Sequence, residues 1–217
     1  RGFIISSFDE EGGIDLDGYD EFSKTRFSDQ MIGLASAVFG WGSEDVETLK
    51  KLYPNHSSKI YKTGAPRIDL WKSVFSDYWK VPKGTPERPF LLISSNLPIV
   101  NGYRSFQEVT KLRKELGYFQ RSPEKFKQEF KRAAEGYLKT AFFIEAIEYL
   151  ANNNNGYDIV LRPHPTENPE VWKTYLENIP NVHVIREGSI TEWVKNAFVV
   201  MHNGCTTALE ATISKKP

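Results

Sequence analysis

The sequence predicts an α/β protein with parallel β-sheet, arranged in two domains. Three observations carry that expectation. Short apolar runs alternate with helix-period stretches, which is the grammar of strand–helix–strand units. The runs Phe90-Leu91-Leu92-Ile93 and Phe198-Val199-Val200-Met201 show no polar alternation, as strands covered by helices on both faces require. Residues 81–89 hold three prolines and a glycine, a break that reads as an interdomain linker.

The elements follow in order. Residues 3–8 form a short strand running into the acidic turn Asp9-Glu10-Glu11-Gly12-Gly13. Residues 14–30 read as polar and irregular, and 31–40 as apolar enough for strand or helix. Ser43 followed by Glu44, Asp45 and Glu47 starts a helix that reaches about Tyr53, since a hydroxyl cap and carboxylates suit the positive helix end. Residues 59–62 read as a strand, 63–67 as a turn and 69–79 as a helix with Leu70, Val74 and Tyr78 on one face. Past the linker come a strand at 90–95, a long helix at 123–150, and an asparagine-rich turn closing near Gly156. Strands at 158–162, 182–185 and 198–201 then alternate with helices at 170–178, 191–196 and 205–213. The expected domains are residues 1–82 and 90–217, joined by 83–89.

Composition narrows the function. With 28 basic and 28 acidic residues the net charge is zero, which argues against a nucleic-acid partner. One cysteine, Cys205, excludes a disulfide scaffold and a multi-cysteine zinc site. The longest apolar stretch, residues 31–40, is about half the roughly 20 residues that span a bilayer. The chain opens on Arg1 in a strand pattern with no signal-peptide pattern and stops after a helix pattern, so it is expected to be part of a longer, cytoplasmic chain.

Three polar clusters each follow an apolar strand, where ligands sit in open parallel sheets. In the first, the adjacent carboxylates of Asp9, Glu10 and Glu11 repel one another, which suits a general base; a solvated acidic turn is the plainer reading. In the second, Arg162-Pro163-His164-Pro165, two prolines aim one imidazole and Arg162 adds a fixed charge, a combination that suits a phosphate. The alternative is a turn histidine that caps the following helix. The third, His202-Asn203-Gly204-Cys205-Thr206-Thr207, opens the last helix with backbone amides and two hydroxyls, as an anion site or simply an N-cap at Asn203 or Thr206. Cys205 has no flanking base and reads as a small buried thiol. Asp15-Leu16-Asp17 matches a metal-dependent transferase pattern too short to carry weight, and no metal site is expected.

Together and in this order, the clusters resemble a known set. Bacterial sialyltransferases and Kdo transferases of the GT-B type carry an acid-acid-Gly motif, a His-Pro motif and a Ser/Thr pair at a helix start. The wider string is similar to the bacterial surface carbohydrate biosynthesis protein family. It matches through Phe8-Asp9-Glu10-Glu11-Gly12, Thr63-Gly64-Ala65-Pro66-Arg67-Ile68-Asp69, Leu161-Arg162-Pro163-His164-Pro165 and His202-Asn203-Gly204-Cys205-Thr206-Thr207-Ala208-Leu209-Glu210-Ala211. The resemblance implies a GT-B-like fold, two Rossmann-like domains whose parallel sheets face a cleft.

It also implies a glycosyltransferase that takes a CMP-activated keto-sugar acid, Kdo or a sialic-acid-like nonulosonate, and builds surface polysaccharide such as lipopolysaccharide or capsule. Glu10, with Glu11 or Asp9, would be the base or nucleophile, and His164 would touch the donor phosphate. Arg162, Pro165, Asn203, Gly204, Thr206 and Thr207 would complete the phosphate or carboxylate site, and Glu210 would reach the ribose or else lie on the helix surface. The acceptor would be a glycan or lipid-linked glycan, the latter drawing the protein to the inner face of the cytoplasmic membrane. No cofactor and no metal are expected, because one phosphate needs less neutralisation than a diphosphate. The alternatives are a teichoic-acid-type CDP-glycerol or polyol-phosphate transferase, a UDP-sugar transferase or epimerase, and a nucleotide-sugar-binding scaffold without turnover.

Overall fold

The computed structural model describes residues 3–9, 19–120, 123–153 and 156–217. They divide into two compact units, Arg1–Phe75 and Ser76–Pro217.

The first unit runs β1 (Ser6–Phe8), α1 (Tyr19–Arg26), α2 (Asp29–Leu34), β2 (Ala37–Gly40), α3 (Ser43–Leu52), a 3-10 turn at Pro54–Lys59, β3 (Ile60–Lys62) and α4 (Pro66–Trp71). Its three strands pair in parallel in the order β1-β2-β3. The core gathers Phe27, Ile32, Val38, Val46, Leu49 and Ile60. Within residues 14–30, expected to be irregular, the described part carries α1 and the start of α2. Ser28 caps α2 by accepting the Met31 N–H at 3.2 Å, and Phe27 and Ile32 bury themselves, so one cap and two apolar side chains outweigh the polar composition. The apolar stretch 31–40 divides between the end of α2 and β2.

The helix expected at 69–79 is broken. Lys72 adopts extended backbone after α4, and a 3-10 helix, Ser73–Tyr78, follows across the boundary of the two units. Leu70, Val74 and Tyr78 are exposed; Trp71, at 1% exposure, is the side chain that packs.

The second unit runs β4 (Phe90–Ser94), α5 (Pro98–Asn101), α6 (Phe106–Glu115), α7 (Pro123–Asn152), β5 (Asp158–Arg162), α8 (Pro169–Leu176), β6 (Val182–Val184), α9 (Ile190–Asn196), β7 (Val199–His202) and α10 (Thr207–Ile213). All strands are parallel, in the order β6-β5-β4-β7. Every residue of β4 and β5 is buried. Successive side chains point to opposite faces, so each strand feeds two cores. Leu91, Ile93, Ile159 and Leu161 pack with Ile147 of α7 and Trp172 of α8. Phe90, Leu92 and Val160 pack with Trp193 and Val194 of α9 and Ala211 of α10.

The Pro-rich segment belongs to this second unit rather than to a linker. Pro89 accepts the Asp158 N–H at 2.9 Å, Arg88 pairs with the Asp158 carboxylate, and Lys80 accepts from Asn196. Its glycine and prolines make a local turn, with the Thr85 N–H donating to Pro82 and Gly84 at φ 84°, so the division falls earlier. Among the described residues, no helix is long and apolar enough to cross a membrane.

Leu92 is fully buried on an inner strand of the sheet, packed among Phe90, Val160 and Trp193. Leu92→Ala should lower unfolding free energy by about 3 kcal/mol, as deletion of a fully packed leucine does. Urea denaturation followed by circular dichroism measures it; a loss below about 1 kcal/mol would contradict this packing.

Candidate functional site

The site is built at the carboxyl edge of the four-stranded sheet. Register sets Ser94 of β4 beside Arg162 of β5 on one flank and His202 of β7 on the other. The two flanking strand ends are therefore about 10 Å apart, twice the interstrand spacing.

Beyond β5 the chain turns through Pro163-His164-Pro165-Thr166. His164 is half-buried, and its Nδ1 accepts the backbone N–H of Thr166 at 3.2 Å and lies 2.7 Å from the Thr166 hydroxyl. An Nδ1 that accepts a backbone N–H is the deprotonated nitrogen, so neutral His164 carries its proton on Nε2.

The turn hangs on Glu167, a residue that sequence reasoning missed. Its side chain is wholly buried. Oε1 accepts from the backbone N–H of Leu97 at 2.9 Å and of His164 at 3.2 Å. Oε2 accepts from Asn101 Nδ2 at 3.0 Å and from Trp172 Nε1 at 2.8 Å, and the Ser95 hydroxyl lies 3.1 Å from both oxygens. The signal in the sequence was an acid three residues after the histidine, with Trp172 five residues further on.

Arg162 does different work from that expected. It is buried, and its guanidinium donates to the carbonyls of Glu187 at 2.6 Å, Gly188 at 2.9 Å and Arg186 at 3.0 Å while lying over the Trp193 ring. Burial pulls its pKa down to about 10 against the pull of Glu187 and Glu192. These bonds make Arg162 a strut for the loop after β6. The exposed cation beside the His-Pro turn is Arg186, which donates to the Pro165 carbonyl at 2.6 Å and to the Tyr103 hydroxyl.

Across β4 lies the third cluster. His202 is exposed, and its Nδ1 accepts the Gly204 N–H at 3.2 Å, which leaves its proton on Nε2 as in His164. Gly204 sits at φ 95°, a conformation that favours glycine. Two amide bonds tie this turn to the end of β4: Asn96 Nδ2 donates to the Gly204 carbonyl and Asn203 Nδ2 to the Asn96 carbonyl, both at 3.2 Å. Thr206 stands at the cap of α10 with no side-chain capping bond, so its half-buried hydroxyl is not used as the N-cap reading expected. Thr207 is buried with its hydroxyl 3.4 Å from that of Ser94, and the half-buried Cys205 Sγ lies 3.9 Å from the same Ser94 hydroxyl. Glu210 is 1% exposed, so it is not a helix-surface residue; its charge acts on Lys195, whose amine is nonetheless pulled down by burial.

The first cluster falls partly outside the described residues, which include Asp9 but not Glu10, Glu11, Gly12 or Gly13; Asp15 and Asp17 also lie outside. Asp9 is pinned: both carboxylate oxygens take a guanidinium N–H of Arg26 at 2.6 Å. The Arg26 fork engages both oxygens and fixes the orientation of the Asp9 carboxylate. Its carbonyl also accepts from Trp41 Nε1. Asp9 and Arg26 border an open pocket of about 260 Å³ with Ser7, Phe27 and Met31. Among the described residues of this unit, the Asp45 carboxyl is raised: burial raises it, the Trp41 N–H opposes, and the Asp9 charge adds to the rise. Among the described residues no three His, Cys, Asp or Glu side chains gather closely enough to hold a metal ion.

No family model matches the chain, and no curated protein matches it. A solved structure of S. aureus MnaA with UDP aligns with a TM-score of 0.53 at 15% identity, over 99% of this chain and 49% of that one. The fold is GT-B-like, with two parallel-sheet units. A structure of the wall teichoic acid polymerase TagF with CDPG aligns at a TM-score of 0.41 and 11% identity, over 96% of this chain and 43% of that one. The chain spans about half the length of either protein.

Glu167→Gln should be far more damaging than an isosteric change suggests. The new NH₂ must face either the Leu97 and His164 N–H groups or the Asn101 and Trp172 donors, leaving buried donors unpaired at about 1–3 kcal/mol each. Urea denaturation measures the loss; a variant as stable as the parent would contradict the network. Asp45 gives a pH test. Its folded carboxyl holds its proton to higher pH than the ordinary 3.8, so its contribution to stability falls as pH rises above that value. Asp45→Asn should therefore gain stability relative to the parent at neutral pH, with the gain vanishing below about pH 3.8, in denaturation run across pH.

Proposed function

We propose that this chain is the donor-handling part of a glycosyltransferase that moves a keto-sugar acid from a CMP-activated donor to a surface glycan. The observation that carries the reading is the imidazole of His164. It sits at the carboxyl edge of a parallel sheet, with its proton left on Nε2 by the Thr166 N–H and its turn anchored by Glu167. As the bond between anomeric carbon and phosphate breaks, charge grows on the phosphate oxygen, and Nε2–H is a fixed donor to stabilise it. The backbone of the 203–206 turn, preset by the two asparagine bonds, offers further donors. The acceptor hydroxyl must lose a proton, and Glu10 or Glu11 is the group assigned to take it. The acceptor in this reading is a glycan or lipid-linked glycan met at the inner face of the cytoplasmic membrane. One donor phosphate is neutralised without a metal.

A second reading, a UDP-sugar enzyme, is favoured by the likeness in fold to a protein solved with UDP. A thermal-shift panel of CMP, UDP and CDP on the full-length protein, with and without chelator, separates the two. CMP at 100 times its dissociation constant should stabilise by about 2.7 kcal/mol with chelator present. His164→Ala should weaken CMP by about 1–3 kcal/mol, the scale of a charge-assisted hydrogen bond. UDP binding more tightly than CMP, or CMP binding lost to chelator, would overturn the CMP reading.

A further inference from the structure

We infer that Arg186 is the permanent cation that meets the donor phosphate, an assignment that rests on the nucleotide-donor reading above. Arg186 follows β6 by two residues, and Ile185 before it is tied to β5 through its N–H on the Leu161 carbonyl at 3.0 Å. Its guanidinium reaches across to the carbonyl of Pro165, the residue after His164, at 2.6 Å. On another side it donates to the Tyr103 hydroxyl and lies over that ring, 5.7 Å from its centroid. Two hydrogen bonds and a ring face therefore fix a long side chain beside the His-Pro turn. That ordering is complete before any ligand arrives, so binding need not meet its entropic cost.

The fork still has capacity. A guanidinium carries five N–H donors, and two acceptors are engaged here. Arg26, Arg88, Arg113 and Arg132 each pair with a carboxylate, and Arg162 is spent on backbone carbonyls. Among the described residues Arg186 forms no ion pair. Glu187, its chain neighbour, turns its carboxylate onto the Arg186 backbone N–H at 3.1 Å, and its charge is drawn toward Lys173 and Arg162. Arg186 is thus an exposed, oriented and uncompensated charge next to His164. A phosphate oxygen is the ligand that matches such a fork beside an imidazole N–H.

Calorimetric titration of CMP and of UDP into the full-length protein, at two ionic strengths, tests this. Arg186→Gln should weaken whichever nucleotide binds by roughly ten-fold or more and flatten the salt dependence of binding. Arg186→Lys should keep the salt dependence but recover only part of the affinity, because a point charge replaces the fork. Tyr103→Phe keeps the ring, loses the hydroxyl and should cost less than Arg186→Gln. Circular dichroism of each variant reports its folding. A nucleotide that binds parent and Arg186→Gln with equal affinity and equal salt dependence would overturn the assignment and leave the donor reading standing. A parent that binds neither nucleotide would overturn the donor reading, and this assignment with it.

Discussion

The carboxylate of Glu167 is wholly buried and accepts from five donors drawn from separate parts of the second unit. Ser95 and Leu97 come from the end of β4, Asn101 from α5, His164 from the end of β5 and Trp172 from α8. Burying a lone carboxylate costs several kcal/mol, which only good hydrogen bonds can offset. Here the offset is also the architecture. An ionised carboxylate is all acceptor, so it can face donors on every side where an amide or hydroxyl would set donor against donor. The loops beyond two adjacent strands are thereby fixed to one group, and the imidazole of His164 inherits its position from that fixation. The Asn96 and Asn203 side chains repeat the arrangement more weakly on the other flank, between β4 and β7.

The alternation of strands and helices in the second unit was legible because its central strands are buried on both faces and so read as unbroken apolar runs. β5 falls at the expected 158–162, and the two parallel sheets match the expected fold class. Four helices were not legible. α1 is mostly polar in sequence, α2 buries Ile32 alone, and α5 and α6 fill the stretch between β4 and α7 where no periodicity stood out. The capping box of α6, Ser105 with Glu108, was a signal available in the sequence. The Pro-rich segment misled for a physical reason. Prolines mark a turn, and whether the turn lies between domains or on one depends on partners such as Asp158, seventy residues from Arg88.

For the site, the sequence placed two of its three clusters beyond the ends of strands but not the side-chain partners within them. His164 and the 202–207 turn do fall at the carboxyl ends of strands of one sheet. Charge was the part that could not be read. Arg162, one residue from the His-Pro pair, is turned into carbonyls, while Arg186, twenty-four residues away, comes back to Pro165 because β6 lies beside β5. Asp9 likewise read as one of three adjacent acids, and the pairing of both its oxygens with Arg26 was not visible in the sequence. Side-chain partners contributed by distant strands decide these roles, and no local pattern encodes them.

The central claim is that the carboxyl edge of the β6-β5-β4-β7 sheet is a preset nucleotide-phosphate site. Hydrogen exchange of the full-length protein, measured by mass spectrometry with and without saturating CMP, tests it most directly. The account predicts slower exchange on CMP binding in the amides of residues 163–168 and 202–207, and little change across the buried strands, which exchange slowly already. CMP that binds while leaving both turns unprotected would contradict it.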